Sequence, residues 1–374
     1  MFYIGFSTSW DSGACLIDSN GKIIFSANEE RFTRKKLTSD FPAKTLKEID
    51  RIIKKAVYEK KKMIRGGTIN YANKSKELNE IYYEKNSLFT KLEYFSWLIE
   101  TIRKPILFFE KLLPKKYKRI DHHLCHSAGA HYTSGLKKSL IITMDAYGDG
   151  CASTVSVGKD KNISFIKRFG WQSTPAHLYS RITQLLGFKS HKHEGKITGL
   201  AAYGKPRCYK EMKKLISINK NSKIKSKNFL RMGFNEKKLK KIFGKYKKED
   251  IACSLQKITE EITCEFVDYW VCKTGIKDIV LAGGLFANVK LNQRIHELPN
   301  IKSIYVFPHM GDGGLALGAV LAYLKPTPKK LETIYLGPKY TDKEIKTAIK
   351  QSGLKYKKYT NIEKKLQSFL QKEK

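Results

Sequence analysis

Residues 140–169 read LIITMDAYGDGCASTVSVGKDKNISFIKRF. An apolar run ends in the turn AYGDG, a second run rich in β-branched residues follows, and the turn KDKN returns the chain into ISFIKRF. Such runs, punctuated by Gly, Asp and Asn, predict a three-strand meander. The same order stands at the N-terminus: FYIGFS (2–7), the turn STSWDSG, ACLID (14–18), the turn SNGK and IIFSAN (23–28). The copies begin at Phe2 and Leu140, 138 residues apart, and each runs on into mainly helical sequence. The chain therefore reads as an α/β protein built by tandem duplication of a meander-plus-helix unit.

Working outward, IKDIVLAGG (276–284) is a strand ending in a Gly pair, followed by the helical pattern FANVKLNQRI. KSIYVFP (302–308), the turn GDGG and the helix LALGAVLAYL repeat that arrangement. These are two successive strand, Gly-turn, helix units. Phe41 to Tyr117 is expected to be mostly helical, with RGGTINYANKSKELNE (65–80) as an exposed insertion. Helices at about 175–187 and 252–273 frame a Lys-rich stretch at 205–249, and Pro326 and Pro328 break the chain. The expected organisation is a first subdomain over 1–135 with a helical insertion at about 43–118, a second over 136–325, and a linker with the start of a further domain over 326–374.

Composition sets the outer limits. With 374 residues and 41% hydrophobic content, the chain is neither a disordered tail nor a single small binding module. Lys and Arg total 72 against 35 Asp and Glu, a net charge of +37, but only 11 of the 72 are Arg and the lysines are spread along the chain. Base and phosphate recognition favours the forked guanidinium, so solvated Lys-rich faces are the better reading and nucleic acid is not an expected partner. Seven cysteines without a CxxC pair argue against a disulfide framework or zinc ribbon. MFYIGFSTSW lacks a basic region followed by an apolar one, and no uncharged apolar stretch is long enough to span a bilayer. A cytoplasmic protein without a membrane segment is expected. The amphipathic stretch Tyr94 to Leu113 reads as buried packing.

Three Gly/Asp turns follow strands: Asp11-Ser12-Gly13, Asp145 to Gly150, and Gly311 to Gly314. Glycines let backbone N–H groups approach phosphate oxygens, while a carboxylate holds a cation that neutralises them. With the Gly283-Gly284 pair they point to a nucleotide between two halves. His122 and His126, in DHHLCH, are spaced to share one face of a helix, whereas Cys125 is turned away. Asp145 and Asp312 complete a set of two histidines and two aspartates suited to Fe(II), Mn(II) or Zn(II). His177, His191, His193 and His309 are acceptor-site candidates, and Gly314, Ala316, Gly318 and Ala319 mark a closely packed helix start.

Several of these stretches together resemble the N-terminal part of the NodU/CmcH carbamoyltransferases. They are DSGACLID with ANEERFTRKK and DFP (11–42), HHLCHSAGAHY (122–132), TMDAYGDG (143–150), HEGKITGLAAYGKP (193–206), LAGGLFANVKLN (281–292) and PHMGDGGLALGAVLA (308–322). They stand in family order and cover nearly all of residues 1–325. The resemblance implies a duplicated ASKHA (actin, sugar kinase, Hsp70-like) fold, shared with tRNA threonylcarbamoyltransferases, with two meander-plus-helix subdomains around a nucleotide cleft. It implies carbamoyl transfer from carbamoyl-adenylate, made from carbamoyl phosphate and ATP, to a hydroxyl of a small metabolite. His122, His126, Asp145 and Asp312 would bind Fe(II) or another divalent ion that bridges the nucleotide phosphate. Gly283, Gly284 and Asn288 would lie along the nucleotide, with Gly148, Asp149, Gly150, Gly311 and Gly313 in the phosphate turns. Asp11, Glu194 and Lys196 fall in motifs that face the reacting group.

Departures from the family pattern carry their own expectations. Trp10 stands where the family usually has a His, and indole is no general base. HEGK replaces the common GEYK, so Gly195 stands for an aromatic and the acceptor pocket is expected to differ. Acceptor-contacting loops are expected at 60–90 and 205–250. The tail YLGPKYTDKEIKTAIKQSGLKYKKY (335–359) resembles the start of the family's YrdC-like half, and the sequence stops at Lys374 before that half's GPRALG-type motif. A truncated product, or a separate YrdC-like partner that supplies the adenylate, is the expectation. A tRNA threonylcarbamoyltransferase-like enzyme with a separate partner and an inactive nucleotide-binding remnant are the alternative readings.

Overall fold

The computed structural model describes residues 1–55, 61–66, 117–227 and 236–372. The first meander is β1 (Phe2–Ser7), β2 (Gly13–Asp18) and β3 (Ile23–Asn28). The short α1 (Glu30–Thr33) and α2 (Ala43–Lys55) then lead to β4 (Lys61–Gly66). β5 (Tyr117–Ile120) runs into α3 (His122–Ser134). β1 pairs antiparallel with β2, and β2 with β3, whereas β4 pairs parallel with β1 and β5 parallel with β4. The sheet order is β3-β2-β1-β4-β5.

The second meander is β6 (Lys138–Gly148), β7 (Cys151–Lys159) and β8 (Asn162–Phe169). After it come α4 (Ala176–Leu185), α5 (Glu194–Ala201), α6 (Tyr209–Lys213), a small hairpin of β9 (Ile216–Ile218) and β10 (Ile224–Ser226), α7 (Glu236–Phe243) and the long α8 (Lys248–Thr274). β11 (Asp278–Ala282), α9 (Val289–His296), β12 (Ser303–Val306) and α10 (Leu315–Leu324) complete this half. Its sheet order is β12-β11-β6-β7-β8, with the same alternation of antiparallel and parallel neighbours as the first. Two sheets with one strand order and one set of directions are the duplicated α/β fold of ASKHA type.

The stretch read as mostly helical from Phe41 onward contains α2, but residues 61–66 form the parallel strand β4 and 117–120 form β5. KKMIRG has too few apolar residues to show a strand period, and its pairing with β1 and β5 decides the conformation. Most of the stretch 65–80, and all of Tyr94 to Leu113, lie outside the described residues.

α3 and α10 form the seam between the halves. Every residue of α10 from Leu315 to Ala322 is buried, because the helix is apolar all round and has protein on every side. One core joins Ile17 of β2, Ala128 of α3, Ile141 of β6, Val280 of β11 and Val320 of α10. The helices come so close that a Cβ on Gly318 would lie 2.0 Å from the Cys125 carbonyl oxygen. A larger core lies between the second sheet and α4, α5 and α8, and a smaller one under β1, β2 and α2.

Residues Gly337–Lys374 form a separate compact unit. It holds α11 (Asp342–Gln351), started by a reciprocal capping box of Thr341 and Glu344, and α12 (Ile362–Lys372). Among the described residues, no helix is long and apolar enough to cross a membrane.

Candidate metal centre

The start of α3 is fixed by two carboxylates. Asp121 is the N-cap and accepts from the Leu124 amide at 2.8 Å, and its other oxygen pairs with Arg168 at 3.0 Å. Asp149, in the left-handed region at φ 49°, accepts from the His122 amide at 2.8 Å. The turn after β6 therefore orders the first turn of α3. Gly148 brings it into contact, since a Cβ there would lie 2.2 Å from the His122 ring.

One helical turn apart, His122 and His126 aim their Nε2 atoms at one point, 3.1 Å from each other. Asp145 sits where the β6–β7 register shifts between Met144 and Gly148, a bulge that re-aims a side chain. Its Oδ2 is 3.3 Å from His126 Nε2 and 3.7 Å from His122 Nε2. Asp312 comes from the 3-10 turn Asp312–Gly314 ahead of α10, with Oδ1 3.7 Å from His122 Nε2 and 3.8 Å from His126 Nε2. Ser9, in the turn after β1, donates to the other oxygen of Asp312.

These four side chains fit a divalent ion. Donors about 2.1 Å from one ion lie roughly 3 to 3.5 Å apart, near the spacings seen here. Asp145 Oδ2 is buried and has no hydrogen-bond donor of good geometry, which a cation would satisfy. Both histidines are essentially fully buried, while the Asp145 and Asp312 side chains keep 16% and 14% exposure, leaving the carboxylate side open to a ligand. Burial alone would lower the His122 pKa, but Asp312 and Asp145 outweigh it and raise it to about 9. Burial pushes Asp145 up, yet the His122 and His126 nitrogens hold it well below the usual carboxylate range. Asp312 is raised by burial and by Asp145 beside it. His123, the third histidine of the run, bonds Thr143 at 2.7 Å, and burial with His122 and His126 nearby depresses it to about 3, so it stays neutral.

Around the cluster, Asp11 is nearly buried, and burial raises its pKa against Asn28 and His309. His309 Nε2 is 3.7 Å from Asp11 Oδ2. Trp10 is 60% exposed and stacks on His191, with ring centroids 5.2 Å apart and planes 16° apart. Gly283, at φ 101°, uses its amide to reach the Met310 carbonyl at 2.7 Å, and Gly284 lies against the Asp145 carboxylate. Gly311 faces open space, whereas a Cβ on Gly313 would meet Asn28 and His309 at 2.3 Å. Gly150 closes the turn after Asp149 at φ 84°.

Other expected site residues stand further out. Asn288 caps α9, accepting from Leu291 N, and exchanges bonds with Gln256 of α8, so both of its polar atoms are engaged. Glu194, at the start of α5, accepts from the His191 amide at 2.5 Å and from Ser180 at 3.2 Å. Lys196 is exposed and reaches over Phe188. Glu194 is tied to Trp10, the neighbour of Asp11, through the His191 amide and the His191–Trp10 stack. His193 accepts from the Lys189 amide and His177 packs edge-on to Trp171. Sequence reading missed Ser9 and the turn of Asp149 toward α3. A serine two residues before Asp11 carries no spacing signal, and the side chain of a loop aspartate has no readable direction.

The profile described as Carbamoyltransferase N-terminus matches residues 3–321. The chain belongs to the carbamoyltransferase family. It is 30% identical over 310 residues to an uncharacterized protein of Methanocaldococcus jannaschii, covering 75% of this chain and 48% of that protein. Nodulation protein NolNO of Sinorhizobium fredii is 24% identical over 359 residues, covering 89% and 50%. The chain thus spans about half the length of these curated relatives. Among solved structures, full-length HypF in its phosphate- and nucleotide-bound form matches with a TM-score of 0.49 at 14% identity, over 87% of this chain and 55% of that one. The family match includes all four cluster residues and both meanders.

Proposed function

We propose that this carbamoyltransferase-family chain binds carbamoyl-adenylate at the α3–α10 seam and transfers its carbamoyl group to a hydroxyl of a small metabolite. The observation that carries the reading is the convergence of His122, His126, Asp145 and Asp312 on one point, open on the carboxylate side, inside a family-matched region. A divalent ion, Fe(II) by family resemblance, held by these four residues would offset the charge of the adenylate phosphate as AMP leaves.

The chain's own residues supply orientation. Gly283 and Gly284 lie beside Asp145 and would let the nucleotide approach the strand end, and Gly311 leaves the 3-10 turn uncovered at the start of α10, where amide dipoles favour an anion. Asp149 and Gly148 hold the first turn of α3, and with it His122. Asn288 keeps α9 in place against α8. Glu194 fixes the His191 loop and Lys196 stands beside it as a cation for the acceptor side. Carbamoyl phosphate and ATP are the distant precursors, and a YrdC-like segment or partner makes the adenylate.

The test is AMP release from supplied carbamoyl-adenylate by anaerobically purified chain. Release that requires a divalent ion supports the reading. Nucleotide binding without ion-dependent release contradicts it.

A further inference from the structure

Deprotonating an acceptor hydroxyl needs a base near the carbamoyl carbon, and Trp10 cannot serve. The indole turns outward onto His191, away from any such role. An imidazole is nonetheless present on the opposite strand end. His309 follows β12 and lies three residues before Asp312; its Nε2 faces Asp11 Oδ2 at 3.7 Å and lies over Gly313, the residue after Asp312. Its side chain is 51% exposed, whereas that of Asp11 is 11% exposed. An accessible imidazole backed by a buried carboxylate is the arrangement of a general base and its orienting partner. The 3.7 Å separation exceeds a hydrogen bond, as catalytic pairs often do before substrate binds.

We propose that His309, oriented by Asp11, is the general base that takes the acceptor proton in this chain, filling the role Trp10 leaves open. The inference rests on the carbamoyl-adenylate reading above. The tautomer with its proton on Nε2 faces Asp11 and leaves the Nδ1 lone pair for the acceptor. In the step, the acceptor O–H bond breaks and its proton moves to Nδ1. The oxygen forms a bond to the carbamoyl carbon, and the bond from that carbon to the phosphate oxygen breaks, so AMP leaves with the electron pair. Asp11 then faces an imidazolium, and its charge stabilises it. Asp11 is a positioning residue here.

The experiment compares two nucleophiles toward carbamoyl-adenylate in the Fe(II)-loaded chain. Water needs a base to become reactive, whereas hydroxylamine attacks as the free amine. His309→Gln is expected to lower water-dependent AMP release about 100-fold and hydroxylamine-dependent release less than tenfold. Bound ion per chain, measured in the same samples, is expected to equal wild type. Asp11→Asn should reproduce the same selectivity with a smaller loss, and adding Trp10→His to His309→Gln should recover at least tenfold of the water reaction. Equal losses with both nucleophiles, or no loss with either, would overturn the assignment. A wild-type chain inert toward both nucleophiles would overturn the carbamoyl-adenylate reading itself, and this inference with it.

Discussion

At the scale of single residues, the centre depends on contacts that leave no slack. Gly148→Ala puts a methyl group 2.2 Å from the His122 ring, and the ring or the turn must shift. The expected result is a stability loss of about 1 to 3 kcal/mol and weaker divalent-ion binding. Denaturant melts and ion titration of the same protein check both, and ion binding equal to wild type would mean that the turn gives way and the His122 ring keeps its place. His122, His126, Asp145 and Asp312 were legible because helical spacing and Gly/Asp turns are written in the sequence. Ser9 and Asp149 were not, because their roles arise from where a turn ends in space, 303 residues from Asp312 in one case and 27 from His122 in the other. Asn288 stood in a legible motif, yet its side chain holds a helix start rather than an open surface.

Among the elements, the helices that frame the seam are held by specific side chains. Glu29, buried at 2% exposure, accepts from the Lys44 and Thr45 amides and the Thr45 hydroxyl, so it ties β3 to the N-terminus of α2. Glu29→Ala removes this anchor and is expected to cost about 2 kcal/mol. A shift in denaturation midpoint at unchanged slope checks it. Gly318→Ala drives a methyl group into the Cys125 carbonyl and forces α10 from α3; a loss of about 1 to 3 kcal/mol with reduced ion affinity is expected, because α3 carries both histidines and Asp312 lies just before α10. Thermal melting and ion titration report the two effects. Both meanders, β11, β12 and α10 could be read from apolar runs and turn residues. β4 could not, since its lysine-rich sequence becomes a strand only through pairing with β1 and β5. α9 starts later than its apolar pattern suggests because Gly284–Ala287 form a 3-10 turn and Asn288 sets the cap.

Taken as a whole molecule, the chain brings together two halves of equal topology, and the centre draws α3 from one and the β6 bulge and the 312–314 turn from the other. The net charge of +37 belongs to dispersed lysines, so mixed tRNA is expected to bind without sequence preference and to be released as salt rises from 50 to 200 mM, which a filter-binding salt series measures. Saturable tRNA binding that persists at the higher salt would favour the threonylcarbamoyl-type alternative. The duplication was legible because each copy repeats a complete meander, and so was a site between the halves; the close contact of α3 with α10 was not, because it is made by residues nearly 200 positions apart, such as Cys125 and Gly318. The most direct test pairs divalent-ion content with AMP release from carbamoyl-adenylate, in anaerobic wild type and in Asp312→Asn. Wild type should bind one ion per chain and release AMP in proportion to it, with both lost together in the variant. Full release by Asp312→Asn without bound ion would contradict the account.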